Sequence, residues 1–414
     1  MVPLARFEEI TCDGRGASLT AADSRLPRFI AAERSMGAML ATLKVAVVGV
    51  GSVGRVAALH FARLMIATLF LVDRGRYKAS SLLTHPVGPD EIGREKASST
   101  GRLAKSISPR TRVLAHDGPF DRLDETALAD ADVVVLATDN LLAEVEAGQV
   151  ALRLRVPLVQ ASVYGPTLTA QVRFHGNLDG EGPCPACAYG EAEWALLDRN
   201  ARWSCEGAAP DPAAEPRGEP TLSVSALCSI AADLAVIQIL RHVAGLGRTV
   251  TDTMLEYAGY TGRTVATPLR RNPNCPVDHV AYEREVAPRG LGDCSLADLA
   301  REAGLSAPEG LDDASFEVGG APFVEAAPCA ACGALVHVRR FSRAGSGPAA
   351  TCGACGGATA AHPFYAHRAV PSDLARPILG VPLREAGVES PGWVLVRSRS
   401  RAVLFLSSRN GSPS

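Results

Sequence analysis

The sequence predicts an α/β protein: a Rossmann-like domain on a doubly wound, mainly parallel sheet. An N-terminal helical arm precedes it, and a C-terminal zinc ribbon plus a small β tail follow. Three observations carry this expectation. Short apolar runs, "KVAVVGV", "ATLFLVD" and "DVVVLAT", alternate with helical stretches. Near-continuous Val/Leu strands of this kind belong to a parallel sheet covered on both faces. The first run leads through Gly49-x-Gly51-x-x-Gly54 into a helix, the turn that brings backbone N–H groups and a helix N-terminus up to a phosphate. Two late Cys-x-x-Cys pairs, each followed by glycine, have the spacing of a four-thiolate metal ribbon.

Each element follows in order. Residues 1–43 form the arm, with a helix expected over "AADSRLPRFIAAERSMGAMLATL". Residues 44–289 form the nucleotide-fold domain. Its first strand leads to a helix ending near Met65, and a second strand closes at Asp73. A helix is expected over about 94–104, then a strand at "TRVLAHD", the apolar run up to Asp139, a helix over about 141–153, and a strand at "PLVQASVYG". The Pro- and Ala-rich "GAAPDPAAEPRGEP" reads as a loop. The apolar segment 221–240 contains Asp233 and several serines, which fits a buried core helix better than a membrane span. Residues 290–326 read as a linker with one short helix at "SLADLAREAG", residues 327–365 as the ribbon, and 366–414 as a tail closing on the hairpin "PGWVLVRSRSRAVLFLSS".

A chain of 414 residues that is 47% apolar is long enough to bury a large core. Its net charge of −2 offers no basic field for nucleic acid or an anionic membrane. The opening "MVPLARFEEITCDGRG" has no charged segment leading into an apolar one. With 11 cysteines arranged largely in metal-compatible pairs, the expectation is a reducing, cytoplasmic compartment.

Gly49, Gly51, Gly54 and Asp73 alone suit a dinucleotide as well as ATP, since Asp73 stands where a ribose-binding acid belongs. Two further residues favour a triphosphate. Lys96, in "DEIGREKASS", lies near a helix start, and Asp139, in "ATDN", ends an apolar strand on the edge where open α/β sheets bind ligands. A lysine for phosphates and a second acid for Mg²⁺ complete such a site. Singly each is ordinary, because an Asp after a strand is often only a helix cap.

The run Gly49/Gly51/Gly54, Asp73, "EIGREKA", "ATDN" and "GPCPAC" resembles the ThiF/MoeB/HesA family, adenylating enzymes related to ubiquitin-activating enzymes. The resemblance covers roughly residues 20–280. It implies ATP-dependent adenylation of the C-terminal carboxylate of a small β-grasp ubiquitin-like or sulfur-carrier protein, followed in some members by thioester transfer to a cysteine. It implies that Asp73 binds the ATP ribose, Lys96 the phosphates and Asp139 the Mg²⁺. "SRLPRFI" is similar to the family's N-terminal "RYxRQI", which makes Arg28 the arginine finger, with Arg25 beside it, and implies a homodimer. One departure stands out. The family's Asn-Leu-x-Arg segment after Asp73 is here "SSLLTHP", with Ser81 and Thr84 where Asn and Arg are expected. Losing a cation aimed at transition-state charge costs about 3 kcal/mol or more unless another replaces it. Arg74, Arg76 and His85 are the candidates.

Cys184-x-x-Cys187 needs partners, and in the resembled family a second pair completes the site. Here Cys275 matches the first of these ligands while position 278 is Asp, so the expected structural zinc is held by Cys184, Cys187, Cys275 and His279, with Asp278 the alternative fourth ligand. Cys329, Cys332, Cys352 and Cys355 make the stronger Zn²⁺ site. A module this short cannot bury enough core to fold unaided, and structural zinc contributes an apparent 10–16 kcal/mol or so. Some members of the resembled family carry an acceptor cysteine in this region, which implies that role for Cys205 in "RWSCEG", with Arg202 nearby to lower its pKa. Cys228 reads as core packing. Two alternatives remain: a degenerate nucleotide-binding scaffold, which the Ser81/Thr84 departure favours, and an NAD(P)-dependent oxidoreductase, which leaves Asp139 and the cysteine pair without a task.

Overall fold

The structure is a computed structural model that describes residues 7–11, 36–120, 123, 125–200, 224–246, 251–280, 282–305, 311–319, 321–342, 350–359, 363–389 and 391–407. The chain divides into two compact units, Arg6–Leu123 with Ala127–Val280, and Ala281–Ser414 with two short segments.

The first unit contains β1 (Glu8–Ile10), α1 (Met36–Leu40), β2 (Lys44–Val48), α2 (Ser52–Arg63), β3 (Thr68–Asp73), α3 (Ser81–Thr84), α4 (Lys96–Ile107), β4 (Arg112–Asp117), β5 (Val133–Leu136), α5 (Leu141–Leu154), β6 (Leu158–Tyr164), β7 (Thr169–His175), α6 (Glu191–Asn200), α7 (Ser225–Val243), β8 (Thr253–Ala258) and β9 (Arg263–Pro268). They form one sheet in the order β1-β4-β3-β2-β5-β6-β7-β8-β9. The five strands from β4 to β6 run parallel, as their apolar runs predict. Val45 and Val47 face one layer and Ala46 and Val48 the other, and all four are buried.

The α2 and α7 helices share a core stripe. Ala57, Ala58 and Ala62 of α2 join Leu227, Cys228, Ala231, Ala232 and Ala235 of α7 in one buried cluster, the small side chains allowing close approach. Among the described residues α7 is the one helix long and apolar enough to cross a membrane, but its buried stripe belongs to this core.

Four strands of the first unit escaped the sequence reading. Ahead of the segment expected to be helical, β1 pairs antiparallel with β4, and β7, β8 and β9 extend the far edge as an antiparallel meander. They carry no continuous apolar run: β7 alternates buried with half-buried residues and β9 is exposed throughout. Strands covered on one face have only a period-two signal, which polar residues on the open face blur.

The second unit holds β10 (Glu283–Val286), α8 (Leu296–Glu302), β11 (Ser315–Val318), β12 (Phe323–Pro328), β13 (Leu335–Phe341), β14 (Ala366–His367), β15 (Ala369–Pro371), α9 (Ser372–Ala375), β16 (Trp393–Arg397) and β17 (Ala402–Leu406). Its sheets run β10-β17-β16-β11-β15 and β13-β12-β14. The expected short helix is α8, opened by a reciprocal cap in which Ser295 Oγ accepts the Asp298 N–H and Asp298 Oδ2 accepts the Ser295 N–H, each at 3.1 Å. The expected tail hairpin is β16–β17. Leu296 and Phe316, Phe323 and Phe341, and Val394 and Phe405 lie in one buried cluster. Linker, ribbon and tail segments thus share a core.

Candidate functional site

The strand order reverses at β2, which has β3 on one side and β5 on the other. The crevice at the carboxyl ends of such strands is where open α/β sheets take ligands. The glycine turn fits that place for steric reasons. Gly49 has φ +87°, and a Cβ on it would lie 2.6 Å from the Ala137 carbonyl oxygen beyond β5. A Cβ on Gly54 would collide with the Gly49 carbonyl oxygen. Gly51, by contrast, opens onto space, and the nearest atom to its missing Cβ is His85 Nε2 at 3.7 Å.

The Asp73 carboxylate accepts the Val50 N–H at 2.7 Å and the Gly75 N–H at 2.7 Å, tying the glycine turn to the segment after β3. Lys96 opens α4, its N–H donating to the Gly75 carbonyl at 2.9 Å. From the place where a Cβ on Gly75 would stand, Asp73 Oδ1 is 3.1 Å away and Lys96 Cε 3.5 Å. Asp139 is exposed after β5. The cap of α5 is made by its neighbour Asn140, whose Oδ1 accepts the N–H groups of Leu142 and Ala143 at 3.0 and 3.1 Å. Among the described residues no hydrogen bond or ion pair engages the Asp139 carboxylate.

Where the resembled family carries Asn and Arg, Ser81 is buried, and its Oγ accepts the Lys78 N–H at 3.0 Å. Thr84 Oγ1 lies 2.8 Å from His85 Nδ1. Of the cations considered as replacements, Arg76 is paired with Glu95 and donates to the Gly93 carbonyl at 2.8 Å. Arg55, which the sequence reading passed over, is fully buried beneath the site. It donates to Tyr77 Oη at 2.9 Å, Thr100 Oγ1 at 3.2 Å, both Glu91 oxygens at 2.8 and 2.9 Å, and the Pro86 carbonyl at 3.1 Å. No periodicity marks such a residue; only its closure with Glu91 does.

Both cysteine sites assemble. In the first unit the donor atoms of Cys184, Cys187, Cys275 and His279 lie within 4.8 Å of one another. His279 Nε2 is 3.5 Å from Cys187 Sγ, while its Nδ1 is 3.2 Å from the Gly182 carbonyl, which leaves Nε2 as the ligating atom. Asp278 turns away, its Oδ1 accepting the Val280 N–H at 3.0 Å. Hydrogen bonds from the Cys184 and Cys275 thiols hold Cys187 well below an ordinary thiol pKa. In the second unit Cys329, Cys332, Cys352 and Cys355 cluster equally closely. Each knuckle turns on a glycine with positive φ, Gly333 at +72° and Gly356 at +73°. Backbone N–H groups of Cys332 and Ala331 lower Cys329 to about 6, and those of Ala354 and Cys355 lower Cys352. Three thiolates with an imidazole, and four thiolates, are both donor sets that suit tetrahedral zinc.

A buried acid was also missed. Glu144 Oε2 accepts from Tyr189 Oη at 2.6 Å and Gln160 Nε2 at 2.8 Å, joining α5 to the turn after Cys187, and burial raises its pKa. Arg28 and Cys205 lie outside the described residues.

The ThiF family model matches residues 26–277, more than half of the chain. The chain belongs to the ThiF family. The SAMP-activating enzyme E1 of Haloferax volcanii is 25% identical over 243 residues, which span 58% of this chain and 81% of that protein. The sulfur carrier protein adenylyltransferase of Thermus thermophilus is 25% identical over 238 residues, 56% of this chain and 81% of that one. Among solved structures, Escherichia coli MccB with ATP matches at a TM-score of 0.46 and 16% identity, over 58% of this chain and 68% of that one. The Thermus thermophilus protein is named as an adenylyltransferase, as is the molybdopterin-synthase adenylyltransferase of Escherichia coli, 24% identical over 236 residues, 56% of this chain and 86% of that one.

Proposed function

We propose that this ThiF-family protein is an ATP-dependent adenylyltransferase acting on the C-terminal carboxylate of a small β-grasp ubiquitin-like or sulfur-carrier protein. The observation that carries the reading is the gathering of the glycine turn, Asp73, Lys96 and an unengaged Asp139 along one edge of the sheet, at the ends of β2, β3 and β5. A carboxylate oxygen of the carrier attacks the α-phosphorus, the α–β anhydride bond breaks, and pyrophosphate leaves with the electron pair. Asp73 receives the ribose hydroxyls, and Lys96 offers its ammonium to the phosphates. The Asp139 carboxylate, engaged by no hydrogen bond or ion pair among the described residues, would hold Mg²⁺, whose charge would supply electrostatic stabilisation of the phosphates. Positioning and electrostatics do the remainder, with little covalent work asked of the protein.

In the same reading Arg28 is the arginine finger, reaching the site of the partner in a homodimer. Cys205 is the acceptor thiol, its thiolate displacing AMP from the acyl adenylate. Both cysteine clusters hold structural Zn²⁺, and reduced thiols in both suit a cytoplasmic setting. The test is ATP–pyrophosphate exchange with candidate β-grasp carriers. Exchange should require a carrier and vanish in Asp139→Ala. A protein that binds Mg-ATP but exchanges nothing with any carrier would instead be the degenerate scaffold, for which Ser81 and Thr84 speak, both being taken up in local hydrogen bonds.

A further inference from the structure

The imidazole of His85 is held over the glycine turn by five separate constraints. Its backbone N–H donates to the Ser81 carbonyl at 2.8 Å, and its own carbonyl accepts the Val87 N–H at 2.9 Å. The next carbonyl, Pro86, receives Arg55 Nε at 3.1 Å. The ring stands edge-on to Tyr77 at 5.8 Å, and Nδ1 meets Thr84 Oγ1 at 2.8 Å. What remains is Nε2, and it faces Gly51 across the opening left by that glycine's missing side chain. An oxyanion resting on the turn in contact with Gly51 comes within reach of Nε2.

We propose that His85 is a phosphate-contacting residue whose charge is supplied on demand. When the nucleotide's phosphates settle over Gly51, the ring takes up one proton from solvent. The imidazolium then donates Nε2–H to a phosphate oxygen and Nδ1–H to Thr84 Oγ1. This rests on the reading of the site as one for ATP and adds to it a residue and a linked proton.

Other charged groups leave this role open. Arg55 is saturated by Tyr77, Thr100, Glu91 and Pro86, and Arg76 is spent on Glu95 and Gly93. Among the described residues Lys96, its Nζ 6.0 Å from the Tyr77 ring centroid, and Arg74, exposed directly after Asp73, are the other cations near the turn. In the nucleotide-free protein the ring is neutral, because burial first, and then the charges of Lys96 on α4 and Arg55 on α2, lower its pKa from the usual 6.5 to about 4. Phosphates reverse the sign of that surrounding field, so the protonated form becomes favoured where it was opposed. The sequence shows a histidine beside the missing arginine; only the fold shows which nitrogen is free and where it points.

Calorimetry of Mg-ATP binding, in buffers of differing ionisation enthalpy at about pH 6, counts the protons taken up. Wild type should take up close to one more proton per nucleotide than His85→Gln. The variant should bind about tenfold more weakly at that pH, and its affinity should lose most of the decline with rising pH that wild type shows. Equal uptake and equal pH dependence in the two proteins would overturn the role of His85 while leaving ATP binding in place. Failure of wild type to bind Mg-ATP at all would remove the adenylation reading and this inference with it. Should His85→Gln not fold, histidine-selective NMR of wild type replaces it. One imidazole must then titrate near pH 4 without nucleotide and at about 7 or above with a non-hydrolysable Mg-ATP analogue, and its absence sinks the proposal.

Discussion

Asp73 Oδ2 accepts the Val50 N–H at 2.7 Å, so the acid that ends the second parallel strand ties down the glycine turn. Its other oxygen holds the Gly75 N–H. Asp73→Ala therefore strands two backbone donors, and the expected loss is about 1–3 kcal/mol of stability together with most of the affinity for Mg-ATP. Denaturant unfolding and ATP titration check both. Unchanged unfolding would mean that the carboxylate does not hold the turn.

The three glycines separate by consequence. At Gly51 a methyl group meets only ordinary contact, so Gly51→Ala should keep its melting temperature and lose ATP affinity. At Gly54 the obstacle is the Gly49 backbone, which cannot rotate aside. Gly54→Ala should cost about 3 kcal/mol or more, the upper end for overpacking. If the two variants melted alike, the asymmetry of the turn would be wrong.

The Arg55–Glu91 pair should dominate acid sensitivity near the site. Arg55 is fully buried, so Glu91→Gln leaves its charge without a counter-ion, at an expected cost of about 3 kcal/mol at neutral pH. Burial pushes the Glu91 pKa up, but the Ser99 hydroxyl, the Arg55 charge and the Gly88 N–H together bring it below the usual 4.5. A depressed folded-state pKa gives stability that is complete above the unfolded value and fades as pH falls through the folded one. The gap in unfolding midpoint between wild type and Glu91→Gln should thus narrow below about pH 4.5.

Two zinc ions per chain are expected, and each should be removable alone. His279→Ala should retain the ribbon zinc and lose the other, and Cys352→Ser the reverse. Metal content with melting temperature on the same samples decides it. Two equivalents in purified His279→Ala would assign the fourth ligand elsewhere.

What the sequence determined by itself was local or repetitive. Continuous apolar runs located the five parallel strands, because burial on both faces leaves no polar residue to break the pattern. The glycine spacing located the turn, and Cys-x-x-Cys located both halves of the ribbon cluster and the Cys184/Cys187 half of the other. The fold decided whatever depends on closure between distant segments. It brought His279, the expected fourth ligand, to Cys187, 92 residues away. It gave the α5 cap to Asn140 and left Asp139 without a hydrogen bond or ion pair among the described residues, a choice between adjacent residues that no spacing distinguishes. It added β7, β8 and β9, which exist as strands because a neighbour's edge offers hydrogen bonds rather than because of their own hydrophobicity. It also turned His85 Nε2 toward Gly51, a side-chain direction that follows from the carbonyl, ring and hydroxyl contacts converging on it. Periodicity reports which face of an element is buried; which groups meet across the fold is set by the packing of elements far apart in the chain.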